Sequence, residues 1–399
     1  MKKVLMLFIS VLLIVSSLTG CAGSASQAPA AAPSSSQPAS EAAKEVKVGL
    51  NYEMTGAVAS FGQNTVDGIN MAFEEINAAG GVNGVKLVAV TVDNKSDSSE
   101  ATSVATRLMT QEGVVACLGP VTSGNYMATI PVATDNKIPI ISGSSTIDVG
   151  ATVNADGSVN DYVFRTCFSD SFQGLVVANF ANSELGAKKA VIIQDNSSDY
   201  AKGLAKTFKE NFDGEVVAEE GYVVNDKDFN AILTKIKSTE FDVIFIPGYY
   251  QEAGLIIKQA RDLGIDAPIL GADGFDSPVL LELAGAEALN NVYFSNHYSP
   301  LAEDPKVKKF IADYKAKYGA EPSALAALGY DAAFFLADAM ERAGSSTDSE
   351  AIKNALAETK DFAGVTGTFS VGPDHNTIKS AVMIGLVDGV QTTSVTVEP

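Results

Sequence analysis

The chain has 399 residues, with 28 basic against 48 acidic side chains, a formal charge of −20, no Trp and three Cys. That balance argues against a nucleic-acid partner, which needs a clustered positive face, because no basic run here exceeds a pair such as Lys188-Lys189 or Lys308-Lys309. With only two His, His297 and His375, and no Cys/His cluster, a zinc or redox-metal centre is not expected, and neither is a cofactor.

Lys2 and Lys3 precede an apolar run from Val4 to Leu18, which leads into Leu18-Thr19-Gly20-Cys21. The run is about 15 residues, shorter than the ~20 that span a bilayer as a helix, so residues 1–20 read as a lipoprotein signal peptide cleaved before Cys21. Loss of Lys2 and Lys3 takes the formal charge to −22. Two or more acyl chains on Cys21 would suffice for stable anchoring, whereas one binds only marginally. The chain is therefore expected on the outer face of the cytoplasmic membrane. Residues 21–44 read as a flexible linker, since Ala22 to Ala43 is nearly all Ala, Ser, Pro, Gly and Gln. As a flexible coil it reaches roughly 25 Å.

The 355 residues from Glu45 onward are enough for two domains. Val46 to Leu50 reads as a strand. Val66, Ile69, Phe73 and Ile76 recur at helical spacing until Gly80-Gly81. Lys86 to Val92 is the next strand, Asp97-Ser98-Ser99-Glu100 caps a helix, and Val114 to Leu118 and Pro139 to Ile141 are strands. Asp93 to Asp97 looks superficially like a calcium loop, but Lys95 takes a ligand position and no Gly makes the turn, so it reads as a solvated loop. The alternation returns in Ala190 to Gln194, Tyr200 to Phe212, Val216 to Val223, Phe229 to Ile236, Phe241 to Ile246, Gln251 to Leu263 and Pro268 to Leu270. Continuous apolar strands of this kind predict parallel sheets covered on both faces, hence an α/β fold of two lobes. Ile378 to Asp388 reads as a late strand returning to the second lobe. Cys117 and Cys167 look like small core residues, and the sequence leaves open whether they pair.

No Gly-x-Ser-x-Gly elbow, no Gly-x-Gly-x-x-Gly after a strand and no phosphate-binding loop is present, so the chain reads as a non-enzyme. In open α/β sheets ligands sit beyond the carboxyl ends of strands. There Gly119-Pro120-Val121-Thr122-Ser123 places Ser123 at a helix start, where N–H groups and the helix dipole favour an anion. Ser142 to Thr146 adds hydroxyls at the next strand end. In the second half Tyr200, Tyr249 and Asp273 follow strands, and the acid suits an ammonium group.

These segments, together with Asn51-Tyr52-Glu53-Met54-Thr55-Gly56 and Ala78-Ala79-Gly80-Gly81-Val82-Asn83-Gly84, resemble the leucine/isoleucine/valine-binding proteins of ABC transporters over nearly all of the chain beyond residue 45. The resemblance implies a periplasmic binding protein type I fold: two Rossmann-like lobes joined by three hinge crossings near Thr166, Ser295 and Thr368. Lobe 1 would then be residues 45–166 plus 296–368 and lobe 2 residues 167–295 plus 369–399. It implies a ligand carboxylate held at Ser123 and at Ser144, Ser145 and Thr146, an ammonium at Asp273 with Tyr200 and Tyr249, and Phe61 near the ligand side chain. Leu325 is placed beside Phe61. Asp273 stands where leucine-specific members carry Glu, and Thr122 and Lys95 stand near positions that carry a disulfide there. The expected function is capture of a branched-chain amino acid for an ABC permease and ATPase complex, as a monomer. Alternatives are a ligand-sensing module of the same fold, or a binder of an amide or an aromatic acid.

If Cys21 is the lipidated N-terminus, Cys21→Ala should move the protein out of the membrane fraction, into the medium or into an unprocessed precursor. Cell fractionation followed by immunoblotting checks this, and unchanged membrane association would refute it.

Overall fold

The computed structural model describes residues 44–399; the signal segment, Cys21 and the linker through Ala43 lie outside the described residues. The first sheet is built from β1 (Glu45–Tyr52), α1 (Ala59–Ala78), β2 (Lys86–Asp93), α2 (Ser98–Arg107), β3 (Ala116–Leu118), α3 (Ser123–Asn136), β4 (Ile140–Ser142) and β5 (Val163–Arg165). Its five strands run parallel in the order β2-β1-β3-β4-β5, with Val48, Leu50, Ala116, Leu118 and Ile141 fully buried between helical layers. Asp97 caps α2 by accepting the Glu100 N–H, and Gly80 and Gly81 leave α1 at φ of 112° and 75°, which an L side chain resists.

The second sheet takes α4 (Asp170–Ser183), β6 (Lys189–Asp195), α5 (Asp199–Asn211), β7 (Glu215–Tyr222), α6 (Asn230–Lys237), β8 (Val243–Phe245), α7 (Tyr250–Asp262), β9 (Ile269–Gly271), α8 (Pro278–Ala284) and β10 (Val292–Asn296). The chain then forms α9 (Pro305–Tyr318), α10 (Ala324–Ala343) and α11 (Ser349–Ala357), with a small sheet of β11 (Phe362–Ala363), β12 (Thr368–Val371) and β13 (Thr377–Ile378). It closes with β14 (Ala381–Val387) and β15 (Val390–Val397), so the larger sheet has the order β15-β14-β10-β9-β8-β6-β7.

This sheet departs from an all-parallel reading. β14 is antiparallel to β10, and β15 is antiparallel to β14. Asp388 and Gly389, both with positive φ, turn β14 directly into β15, a two-residue connection that only antiparallel neighbours can use. The late strand also begins at Ala381 and not at Ile378, because Thr377 and Ile378 pair with β12 instead. Asp93 to Asp97 is likewise a bracket more than a solvated loop: Asp93 accepts from the Met54, Thr55 and Lys95 N–H groups and the Thr55 hydroxyl, and the buried Asn94 donates to Asn51.

Cys117 and Cys167 are free, buried thiols pushed up to about 12 by desolvation, and so are unreactive at neutral pH. Cys117 lies in β3 and Cys167 follows β5, with β4 between them; two strand spacings are about 10 Å, beyond disulfide reach.

Where the chain passes between the sheets, charged side chains are buried and tied to backbone. Arg165, fully buried at the end of β5, donates to the Ser145 and Ile147 carbonyls. Lys379 donates to the Thr166 carbonyl and the Thr366 hydroxyl, and desolvation lowers its amine to about 8. Asp331 of α10 accepts the Val365 and Thr366 N–H groups.

Helix α10 belongs to the first sheet because it packs on α1 at near backbone contact. A Cβ on Gly68 would stand 2.0 Å from the Ala326 carbonyl oxygen, and one on Gly329 would stand 2.4 Å from that of Thr65. At an open helix position Gly→Ala gains roughly 0.5–1 kcal/mol. Here the sign should reverse: Gly68→Ala is expected to lower unfolding free energy by about 1–3 kcal/mol through overpacking, read from a urea titration.

Candidate functional site

The carboxyl ends of strands from both sheets face one buried cavity lined by Phe61, Val121, Thr122, Ser123, Ser144, Tyr200, Tyr249, Asp273, Gly274 and Leu325. Seven of the nine residues singled out from the sequence therefore meet: Phe61, Ser123, Ser144, Tyr200, Tyr249, Asp273 and Leu325. Ser145 and Thr146 are fully buried but do not line the cavity, and their hydroxyls have no hydrogen-bond partner among the described residues. They sit one layer back, where the Thr146 carbonyl accepts the Asp170 N–H at 2.7 Å. The space between the two walls is about 20 Å³, room for one or two waters. A wider groove of about 700 Å³, between α7 and the end of α8, is remote from these residues; its Arg261 is committed to the Ile265, Ala267 and Asn290 carbonyls.

On the first-sheet wall, Ser123 is the first residue of α3, and the N-cap position falls to Thr122, whose side chain does not cap. The reason is Glu53. This fully buried carboxylate, just beyond β1, accepts the Val121 and Thr122 N–H groups, the Thr122 hydroxyl and the Asn125 amide. Glu53 thus occupies the rear of the helix start and leaves Ser123 to present its front to the cavity. Ser144 is anchored by its hydroxyl to the Val121 carbonyl at 3.0 Å, and Ser142 accepts the Ser145 N–H at 2.9 Å while donating to the Pro120 carbonyl. Gly119 permits this crowding: its φ is 85°, and a Cβ there would stand 2.4 Å from the Asn51 carbonyl oxygen.

On the second-sheet wall, Asp273 leads the short turn after β9. Its Oδ1 accepts the Tyr200 hydroxyl at 2.6 Å, its Oδ2 lies 2.9 Å from His297 Nε2, and its N–H donates to Gln173 Oε1 at 2.8 Å. Tyr200 and Tyr249 stack with centroids 5.1 Å apart, and Phe61 meets Tyr249 edge-on at 5.7 Å across the cavity. Burial, then the charge of Asp273, drives both phenols well above their usual range, so they remain donors. Asp170, behind Thr146, is also raised well above the ordinary carboxylate range by burial; the Thr146 hydroxyl opposes the rise without reaching hydrogen-bond geometry.

Glu53, Gln173 and His297 are the residues that the sequence reading did not assign. Glu53 and His297 each directly follow a strand, which was the available signal; Gln173 lies inside α4 and carried none. Among the described residues no group of three His, Cys, Asp or Glu side chains gathers as a metal site, and no helix is long and apolar enough to cross a membrane.

A cavity between two α/β layers, with a helix start on one wall and an acid with stacked phenols on the other, is the plan of a solute-binding protein. A family model for periplasmic binding proteins matches residues 45–390, and the chain belongs to that family. Leu/Ile/Val-binding protein homolog 3 of Brucella melitensis is 31% identical over 335 residues, 83% of this chain and 88% of that protein. Among solved structures, the branched-chain amino acid transporter substrate binding protein LivJ from Streptococcus pneumoniae, in complex with isoleucine, is 45% identical with a TM-score of 0.85, covering 89% of this chain and all of that one (100%). The leucine binding protein LivK from Thermotoga maritima is 38% identical with a TM-score of 0.81, over 89% and 99% of the two chains. The fold is thus that of the type I periplasmic binding proteins.

Glu53→Gln keeps the shape but turns an amide N–H₂ toward groups that are already donors. It should lower unfolding free energy by about 1–3 kcal/mol, measured by urea denaturation.

Proposed function

We propose that this chain is the extracytoplasmic, lipid-anchored substrate-binding protein of an ABC importer, and that it captures a branched-chain amino acid, leucine, isoleucine or valine, between two lobes. The observation that carries the reading is the opposition of Ser123 at the start of α3 to Asp273 and the Tyr200–Tyr249 stack across one cavity. A zwitterion needs both: the helix start and hydroxyl favour its carboxylate, and Asp273 neutralises its ammonium. Phe61 and Leu325 supply an apolar surface for the side chain. The similar Brucella, Streptococcus and Thermotoga proteins, named for Leu/Ile/Val, isoleucine and leucine, support this chemistry.

The lobes in this reading are residues 45–166 with 296–368, and 167–295 with 369–399. A space of about 20 Å³ does not admit an amino acid, so entry requires the two walls to separate and binding draws them together. The closed, liganded form is what the permease and ATPase complex would receive.

Isothermal titration with leucine, isoleucine, valine and alanine tests the proposal. At least one of the branched-chain acids should bind wild type, and Asp273→Ala should weaken it by roughly 2–5 kcal/mol, since the ammonium is left desolvated and unpaired. Absence of binding by all four, or an Asp273→Ala variant that binds as tightly as wild type, would overturn the zwitterion assignment.

A further inference from the structure

Asp273 is buried, and a buried carboxylate recruits partners. If those partners were cations, its charge would be spent before any ligand arrived. Its side-chain partners are instead a phenol and an imidazole. Tyr200 stays protonated, as burial dictates, and the imidazole of His297 is lowered from its ordinary range chiefly by desolvation, with Asp273 opposing. An ionised carboxylate only accepts, so Nε2 of His297 carries the proton and the ring donates while neutral.

His297 does not line the cavity. Its side chain is fully buried just past the end of β10, and Phe168 lies flat against it with ring centroids 3.8 Å apart and planes 20° apart. Phe168 belongs to the segment leading from β5 to α4, and His297 to the segment leading from β10 to α9, so two of the passages between the sheets clamp one ring. Gln173 adds a second brace, because its Oε1 accepts both the Asp273 N–H and the Ser295 hydroxyl at 2.8 Å. The carboxylate is therefore oriented from the segments that join the lobes, by donors that bring no positive charge of their own.

We infer that His297 is a positioning residue for ligand binding: its neutral Nε2–H, held flat by Phe168, fixes the Asp273 carboxylate in the orientation that receives the ligand's ammonium. The inference rests on the amino-acid reading above. It assigns to this histidine selectivity for the amine, and no contact with the ligand.

The test compares wild type, His297→Ala and His297→Gln, whose amide N–H₂ can still donate to Asp273. Affinities are measured for leucine and, by competition at high concentration, for 4-methylpentanoate, the same acid without its amine. His297→Ala should weaken leucine by about 10- to 100-fold, the worth of a hydrogen bond to a charged group, leave 4-methylpentanoate within about twofold, and so reduce the preference between them. His297→Gln should restore most of the leucine affinity. Equal losses for both acids, or a Gln variant as weak as Ala, would overturn the inference in favour of a packing role. Should His297→Ala not fold, the Gln variant alone decides, since it must keep the leucine preference. If wild type binds none of the amino acids, the functional reading fails separately. The contact is then read in the ligand-free protein from the imidazole ¹⁵N shifts: a protonated Nε2 that responds to Asp273→Asn supports the clamp, and an unprotonated Nε2 refutes it.

Discussion

Keeping one buried carboxylate, Asp273, among neutral donors is the constraint around which this molecule is arranged. Asp273 is buried, yet its side-chain partners among the described residues are neutral donors, Tyr200 and His297. A lysine or arginine in either place would satisfy the acid and cancel its field. Neutral donors meet each of its two oxygens once and bring no positive charge.

The opposite wall solves the mirror problem. A helix start attracts anions, and an internal anion, Glu53, is already there. Because Glu53 approaches from behind, through the N–H groups of Val121 and Thr122, it pins the helix start without covering Ser123. Glu53 and Asp273 are thus buried acids in different settings: Glu53 is met by four donors, while Asp273 lines the cavity. That asymmetry gives the cavity its polarity.

Rigid walls would be of little use if the passages between the sheets were loose coil. Instead Arg165, Lys379 and Asp331 are buried there and bonded to backbone. Such groups are costly to leave unpaired, so they restrict the joining segments to arrangements that keep those bonds. The stacked Phe168 and His297 join two of these segments directly beside Asp273.

The sequence by itself determined the α/β alternation, the capped start of α2, the stop of α1 at Gly80-Gly81, and most of the cavity lining, because strand ends and helix starts are local events written in apolar period, caps and glycines. It also carried the family resemblance in contiguous segments. Only the tertiary structure decided that β14 runs antiparallel to β10, since an apolar run reads alike in either direction and the partner strand lies far away in sequence. The same holds for Cys117 and Cys167, whose separation depends on β4 lying between their strands. Ser145 and Thr146 look equivalent to Ser144 along the chain, yet the turn held by Ser142 points one of the three to the cavity and buries the other two. Glu53, Gln173 and His297 became legible only when residues up to 122 positions apart were brought within hydrogen-bond distance, which no local pattern encodes.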